Sequence, residues 1–266
     1  MALDYSTQGT LSSDLVNLGL KEGDGVFVHA SLGAIGNVVG GARAVINALL
    51  EVTGGKGLIA MPGFSTDAYF PKEFDRAALS PFEIQEIENA VLGFDPKSSS
   101  ALGMGIIAET FRNWPGTIRS QHPTSSVCLL GADAANYIAP HSLEWASGPQ
   151  SPSGRLMKRP NMKTLLIGVG WNRCSALHVA ETLTTPKRTK IRRFKPDRSA
   201  QWVETPDVAD DLDRLFPLVG SAFESKGKVS RGNIGNAPSR LCGYRDLIEF
   251  ATRWIGEANN KSGDLR

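Results

Sequence analysis

The sequence of 266 residues is poor in cysteine, carries almost no net charge and has no long uninterrupted apolar run. Each shortage excludes something. Three cysteines, Cys128, Cys174 and Cys242, are odd in number and far apart with no CxxC pair, which removes a disulfide framework, a zinc ribbon and a dithiol redox centre. A reducing, cytoplasmic setting is expected. Lys+Arg 29 against Asp+Glu 27 leaves +2, so no whole-chain basic field calls for nucleic acid or an anionic membrane as partner. No stretch approaches the ~18 apolar residues of a membrane span. The opening MALDYSTQGTLSSDL lacks the basic and apolar regions of a secretory leader, so none is expected there. The four histidines, His29, His122, His141 and His178, are too dispersed for an HExxH-type site, and no serine sits in GxSxG. No metal is expected, and no acyl-enzyme nucleophile stands out.

What is present is an ordinary globular composition, 41% hydrophobic and 21% charged, with 28 Gly and 15 Pro supplying many turns. Thr10 can cap a helix whose apolar face is Leu11, Leu15 and Leu18, with Gly19 at its end. A strand Val26–His29 follows, then a glycine-containing loop over 32–41, a helix from Ala42 to about Glu51, and a strand over 57–61. Further strands are predicted at 126–130 and 164–169. Further helices are predicted at about 99–113, 132–138, 175–184, 207–225 and 244–258, with Pro217 breaking or kinking the fourth of these. Such alternation favours an α/β fold: a three-layer sandwich of a mostly parallel sheet with helices on both faces. A single domain over 1–266 is the simplest organisation, with an irregular excursion and possible insertions near the substrate site at about 66–99 and 139–162.

The charge is flat overall but not locally. Residues 67–95 hold seven acids against two bases, and residues 204–213 hold five acids and no base, whereas 187–198 holds seven bases against Asp197 alone. These runs read either as solvated faces or as an acidic pocket for a cation and a basic patch for a phosphorylated ligand.

Three constellations can carry chemistry. The first, VHASLGAIGNVVGGA over 28–42, is a strand leading through Gly33, Gly36, Gly40 and Gly41 into a helix, a geometry that presents backbone N–H groups to an anion. It matches neither GxGxxG nor the P-loop, and a plain strand–turn–helix connection explains the pattern equally well. The second, Arg119-Ser120-Gln121-His122-Pro123, gathers donors before a strand, although a surface arginine and a histidine capping its own loop would account for it too. The third is Ser175-Ala176-Leu177-His178-Val179-Ala180-Glu181 after the apolar run TLLIGVG. On a helix His178 and Glu181 share a face, so the carboxylate can orient an imidazole base at the mouth of an α/β sheet. Hydrogen-bonded surface groups are the alternative.

In order along the chain, VHASLGAIGNVVGGARAVINALLE, GLIAMPGFS, FDPKSSSALGMGIIAETFRNWPGTIRSQHPTSSV, SGPQSPSGRL, TLLIGVG, LHVAE and GNIGNAPSRL resemble the aminoglycoside 3-N-acetyltransferase family, over residues 11 to about 250. The resemblance implies a fold distinct from the GNAT acetyltransferases, whose [QR]xxGx[GA] signature is missed by one position at Arg231-Gly232-Asn233-Ile234-Gly235. It implies transfer of acetyl from acetyl-CoA, used as a cosubstrate, to the 3-amino group of a 2-deoxystreptamine antibiotic in a ternary complex, conferring resistance. On that reading His178 is the general base, Glu181 holds it or binds substrate ammonium groups, and Ser175 or nearby N–H groups stabilise the oxyanion. Coenzyme A would pass His29, Ala30, Ser31 and Leu32 and place its pyrophosphate near Gly36, Val38, Val39, Gly40 and Gly41. Ser65, Arg119, Ser120 and His122 would supply further contacts. Asp67, Asp95, Glu181 and Asp213 are the expected partners of the cationic antibiotic. Where the family commonly has Asn-Thr before the Ala-Leu-His step, this chain has Cys174-Ser175, keeping a hydroxyl and losing an amide. The same fold acting on another biosynthetic amine, and a non-catalytic CoA- or nucleotide-binding module, are the competing readings.

Overall fold

The computed structural model describes residues 5–209 and 215–263. Its elements are α1 (Gln8–Leu18), β1 (Gly25–Ala30), α2 (Leu32–Ile35), α3 (Gly41–Thr53), β2 (Leu58–Pro62), α4 (Pro81–Ala90), α5 (Ile106–Arg112), β3 (Ile118–Arg119), β4 (Val127–Gly131), α6 (Ala134–Ile138), α7 (Pro152–Leu156), β5 (Met162–Ile167), α8 (Leu177–Leu183), β6 (Thr189–Phe194), β7 (Val203–Val208), α9 (Leu215–Glu224), β8 (Val229–Ile234), β9 (Ala237–Gly243) and α10 (Tyr244–Gly263). Seven strands form one sheet in the order β3-β4-β2-β1-β5-β9-β8, and β6 and β7 pair separately.

The pleat of β1 divides the core. Val26 and Val28, with Ile59, Met61, Leu165 and Ile167, face a layer containing Leu11 and Leu15 of α1, Val45 and Leu49 of α3, and Phe111 of α5. The alternate residues Phe27, Leu58, Ala60 and Leu166 face Leu177 of α8, Phe216 of α9, and Leu247 and Ile248 of α10. The central strands β1, β2 and β5 therefore bury both faces, which gives the three-layer α/β arrangement. In α10 the buried residues Tyr244, Leu247, Ile248, Ala251 and Ile255 recur at helical spacing along one stripe. Among the described residues no helix is long and apolar enough to cross a membrane.

The sheet is mixed rather than mostly parallel. Only β1 pairs in parallel, with β2 on one side and β5 on the other; β2–β4, β3–β4, β5–β9 and β8–β9 are antiparallel. The hairpin of β8 and β9 turns through Gly235-Asn236, with Gly235 at φ +56°, a two-residue connection that demands glycine's conformational freedom. Three further expectations change. Thr7, not Thr10, caps α1, in a reciprocal capping box with Thr10. Residues 207 and 208 belong to β7 rather than to the helix predicted over 207–225, and Pro217 lies within α9. The helix predicted at 99–113 is a 3₁₀ turn at Leu102–Met104, Gly105 at φ +95°, and then α5.

The segment predicted as an excursion, 66–99, carries α4 and packs on the β6–β7 hairpin. Ala68, Phe94 and Phe194 make a small separate core with Tyr69, Leu143 and Val203 against it. Around this core the acidic and basic runs meet. Glu88 takes Arg76 at 2.7 Å and Arg193 on the same carboxylate, and Asp95 faces Arg198 at 3.6 Å. The Arg193 hydrogen bond holds the Glu88 carboxyl below the usual range. Local charges that looked like a cation pocket and a phosphate patch are, in these pairs, each other's counter-ions.

The turn that leads into α8 is gripped by α9. Trp171 is buried, its indole N–H donates to Glu224 Oε1 at 2.7 Å, and a Cβ added at Gly220 would stand 2.0 Å from Trp171 Cγ. Alanine has the better helix propensity, so propensity alone predicts that Gly220→Ala stabilises the protein. The ring contact predicts the opposite, a loss of about 1–3 kcal/mol from overpacking. Urea unfolding should show a lower midpoint at an unchanged slope; an unchanged or higher midpoint would contradict the packing.

Candidate active site

Parallel β1 and β5 run side by side with Ala30 opposite Ile167, so the chain leaving each strand emerges at one edge of the sheet. That edge is where α/β sheets open a crevice. From β1 the chain turns at Ser31, whose N–H donates to Ile167 carbonyl oxygen at 2.9 Å and whose hydroxyl accepts the Ala34 N–H. From β5 it passes Gly168, the 3₁₀ turn Trp171–Arg173, and Cys174-Ser175-Ala176 into α8. Between these two segments and the wall Gly103–Ala108 lies a cavity of about 450 Å³, lined by His29, Ala30, Ser31, Leu32 and Gly33 on one side and Arg173 and Ser175 on the other.

Helix α8 brings the third constellation together. His178 Nδ1 lies 2.7 Å from Glu181 Oε2, and Glu181 is buried. A carboxylate only accepts, so Nδ1 carries the hydrogen and the lone pair of the neutral ring is on Nε2. The ring rests on Phe216, with centroids 5.0 Å apart. His178 lines a second, smaller cavity of about 140 Å³ with Phe64, Thr124, Ser125, Ser147, Arg192 and Asp207. Ser175 and His178, three residues apart, therefore face two different cavities. Asp207 is held by Arg192 Nε at 2.6 Å, and Arg192 also reaches the Tyr69 hydroxyl at 3.2 Å.

Cys174 and His29 shape this segment from below. Cys174 is fully buried, and its carbonyl accepts the Leu177 N–H at 3.0 Å. Burial pushes its thiol up to about 12. His29 shares the Phe27 face of β1, its ring 4.8 Å from that of Phe27, and its Nε2 accepts the Ser175 N–H at 2.9 Å. Burial, with the His178 imidazole nearby, pulls the His29 imidazole down to about 3.

The remaining predicted residues divide. Gly36, Val38, Val39, Gly40 and Gly41 lie along the edge beyond α2, outside the lining of the larger cavity; Gly40 and Gly41 adopt φ +85° and +58° to enter α3. Arg119 is partly buried over the Phe94 ring, lines a further cavity with Ser120, and donates to the carbonyls of Gly63, Pro96 and Ser99 and to Ser126 Oγ, a bracket between β2 and the 94–99 segment. His122 is fully buried and accepts the N–H groups of Thr124 and Ser125, so it caps its own loop. Ser120 Oγ accepts the Val127 N–H and bonds His141. Ser65 is buried and accepts the Asp67 N–H at 3.2 Å. Asp67 is exposed; Asp95 is held by the Lys97 N–H and faces Arg198, so it is not at the His178 cavity; Asp213 lies outside the described residues. Sequence reasoning missed the wall Gly103–Ala108, Arg173, and the ring of Phe64, Ser147, Arg192 and Asp207. The pair of glycines around Met104 was a usable signal for the wall, whereas the ring is assembled from four separate segments. Among the described residues no group of three or more His, Cys, Asp or Glu gathers as a metal site.

His29, His122 and His141 are all neutral in the fold, pulled by burial to about 3, 4 and 3. In the unfolded chain each titrates near the ordinary 6.5, so the unfolded state binds more protons below that pH. Their contribution is complete above pH 6.5 and is lost as pH falls toward 4, by roughly 1.4 kcal/mol per pH unit for each histidine. Urea midpoints measured from pH 7.5 to 4.5 should fall, and His141→Gln should flatten the slope.

A family model described as aminoglycoside 3-N-acetyltransferase matches residues 27–256. The SPbeta prophage-derived aminoglycoside N(3')-acetyltransferase-like protein YokD of Bacillus subtilis is 33% identical over 264 residues, covering 98% of this chain and 95% of its own. Among solved structures, AAC-IIIb binary with CoASH superposes with TM-score 0.84 at 29% identity, covering 96% and 97% of the two chains. AAC-VIa bound to sisomicin superposes with TM-score 0.82 at 30% identity, covering 95% and 98%.

Proposed function

Because the chain belongs to the aminoglycoside 3-N-acetyltransferase family, we propose that it transfers acetyl from acetyl-CoA to the 3-amino group of a 2-deoxystreptamine aminoglycoside, in a ternary complex with His178 as general base. The observation that carries this reading is the His178–Glu181 pair, 2.7 Å apart, with His178 on one cavity beside Asp207 and Ser175, three residues earlier, on the other. The larger cavity suits coenzyme A: its walls run through Gly33, Gly103 and Gly105, where backbone can approach a slender chain closely, and Arg173 stands at its rim as a cation for phosphate. A relative bound to CoASH and another bound to sisomicin support the two ligands.

Acetyl-CoA supplies the acyl carbon as a thioester. His178 Nε2 takes a proton from the acceptor amine as the N–C bond forms and the C–S bond breaks, and passes it to the departing sulfur. Glu181 holds the ring in the tautomer that exposes Nε2 and stabilises the imidazolium. The Ser175 N–H is committed to His29, so it is the Ser175 hydroxyl that we place at the developing oxyanion. Ala30, Ser31 and Leu32 wall the donor channel, and Val39 to Gly41 are assigned to the pyrophosphate at the start of α3. On the acceptor side Asp67 and Asp213 remain the assigned partners of substrate ammonium groups. Glu88 and Asp95 are occupied by arginines, and the basic hairpin spends charge on them, so a phosphorylated acceptor loses its motive. The reaction is assigned to the cytoplasm, in keeping with three buried free thiols, and its outcome is resistance to the antibiotic.

Thiol release from acetyl-CoA, followed with gentamicin-like, neomycin-like and simple amine acceptors, tests this. Wild-type protein should turn over an aminoglycoside, and His178→Ala should lose ~10²–10⁴-fold in kcat. Turnover of a simple amine with every antibiotic inert would select a biosynthetic acceptor instead; binding without transfer in either protein would indicate a CoA-binding module.

A further inference from the structure

We infer that His29 is a positioning residue: its Nε2 holds the Ser175 amide and so sets where the start of α8 presents His178, rather than serving as a contact to acetyl-CoA. This rests on the acyl-transfer reading above only for its kinetic consequence. The hydrogen bond spans 146 residues and joins the end of β1 to the segment before α8. The amides on either side have local acceptors: Cys174 N–H donates to the Trp171 carbonyl, Leu177 to the Cys174 carbonyl and His178 to the Ser175 carbonyl. The Ser175 amide is instead tied to a different strand. The tie thus fixes the segment relative to the sheet, while the local bonds fix only its own turn.

The His29 ring is itself enclosed by its neighbours. It is 95% buried (relative exposure 5%), tilted against Phe27, and Phe27 in turn lies against Tyr244 of α10 with centroids 6.0 Å apart. Nε2 can accept the amide only while the ring is neutral, and both burial and the approach of His178 enforce neutrality. The two imidazoles therefore divide their work. One is buried and neutral and accepts through Nε2; the other is paired with a carboxylate and free to take a proton. His29 Nδ1, which carries the remaining hydrogen, is fully enclosed and does not reach the cavity surface, which also argues against a ligand contact through that atom.

Three variants of the full chain decide the matter. In His29→Gln the carboxamide oxygen can still accept the Ser175 amide; in His29→Leu nothing can; in His29→Asn a polar atom remains but stops short. Without ligands, exchange of the Ser175 backbone amide, read by NMR, should be slow in wild type and His29→Gln and at least about tenfold faster in His29→Leu and His29→Asn, as expected for loss of one hydrogen bond. In the acetyl-transfer assay His29→Leu should lose ~10–100-fold in kcat, as a misplaced base does, with KM for acetyl-CoA within about threefold of wild type, and His29→Gln should recover most of the loss. If His29→Leu does not fold, His29→Asn carries the same comparison. A raised KM for acetyl-CoA at unchanged kcat would overturn the inference and restore His29 as a cofactor contact. Unchanged exchange at the Ser175 amide, or equal losses in folded Gln and Leu variants, would overturn it too. If wild type transfers acetyl to no acceptor, the proposed function fails, and the exchange measurement still decides the role of His29.

Discussion

The parallel pairing of β1 with β5 is the constraint on which the site depends. Its register sets Ala30 opposite Ile167, so two loops that are distant in sequence leave the sheet at one edge, and the Ser31 amide bonds directly to the Ile167 carbonyl. Everything chemical follows from that edge. The pleat then sorts side chains: Val28 goes to the α1–α3 layer and His29 to the α8–α10 layer. A one-residue slip would turn His29 away from Ser175. The helix after β5 carries His178 and Glu181 on the same face.

Charge is organised inside the molecule more than toward solvent. The near-neutral total hides a strongly acidic 67–95 and a strongly basic 187–198, and the fold brings these two runs face to face around a small core of Ala68, Phe94 and Phe194. Partly buried pairs of this kind do more to specify an arrangement than to stabilise it, because desolvation offsets much of their attraction. Their consequence here is positional. The hairpin carrying Arg192 and Asp207 is docked by these contacts, and it supplies one wall of the cavity beside His178.

Much of the site was legible along the chain because its parts are local. A strand followed by glycines, and a His and Glu three apart after an apolar run, each declare themselves within ten residues. The antiparallel half of the sheet was less legible. The Gly235-Asn236 turn between Ile234 and Ala237 is a two-residue hairpin signal that lay within a segment read for another motif, and the charges of β6 and β7 find partners within the hairpin, Arg192 with Asp207, and in the 66–99 segment, Arg193 with Glu88. Arg119 and His122 illustrate the limit of residue type as a guide. Both looked like donors for a ligand, and both are consumed by backbone groups of their own surroundings.

The sequence by itself determined the alternation of helix and strand, the buried stripes, and the local pairing of His178 with Glu181, because each depends on spacings of two to four residues. Only the tertiary structure decided which glycines line the cavity, which acids remain for a cationic ligand, and that His29 meets the Ser175 amide. Those outcomes depend on strand order, register and the layer to which each side chain is assigned. They join residues as far apart as 146 positions, a separation over which no local pattern carries information.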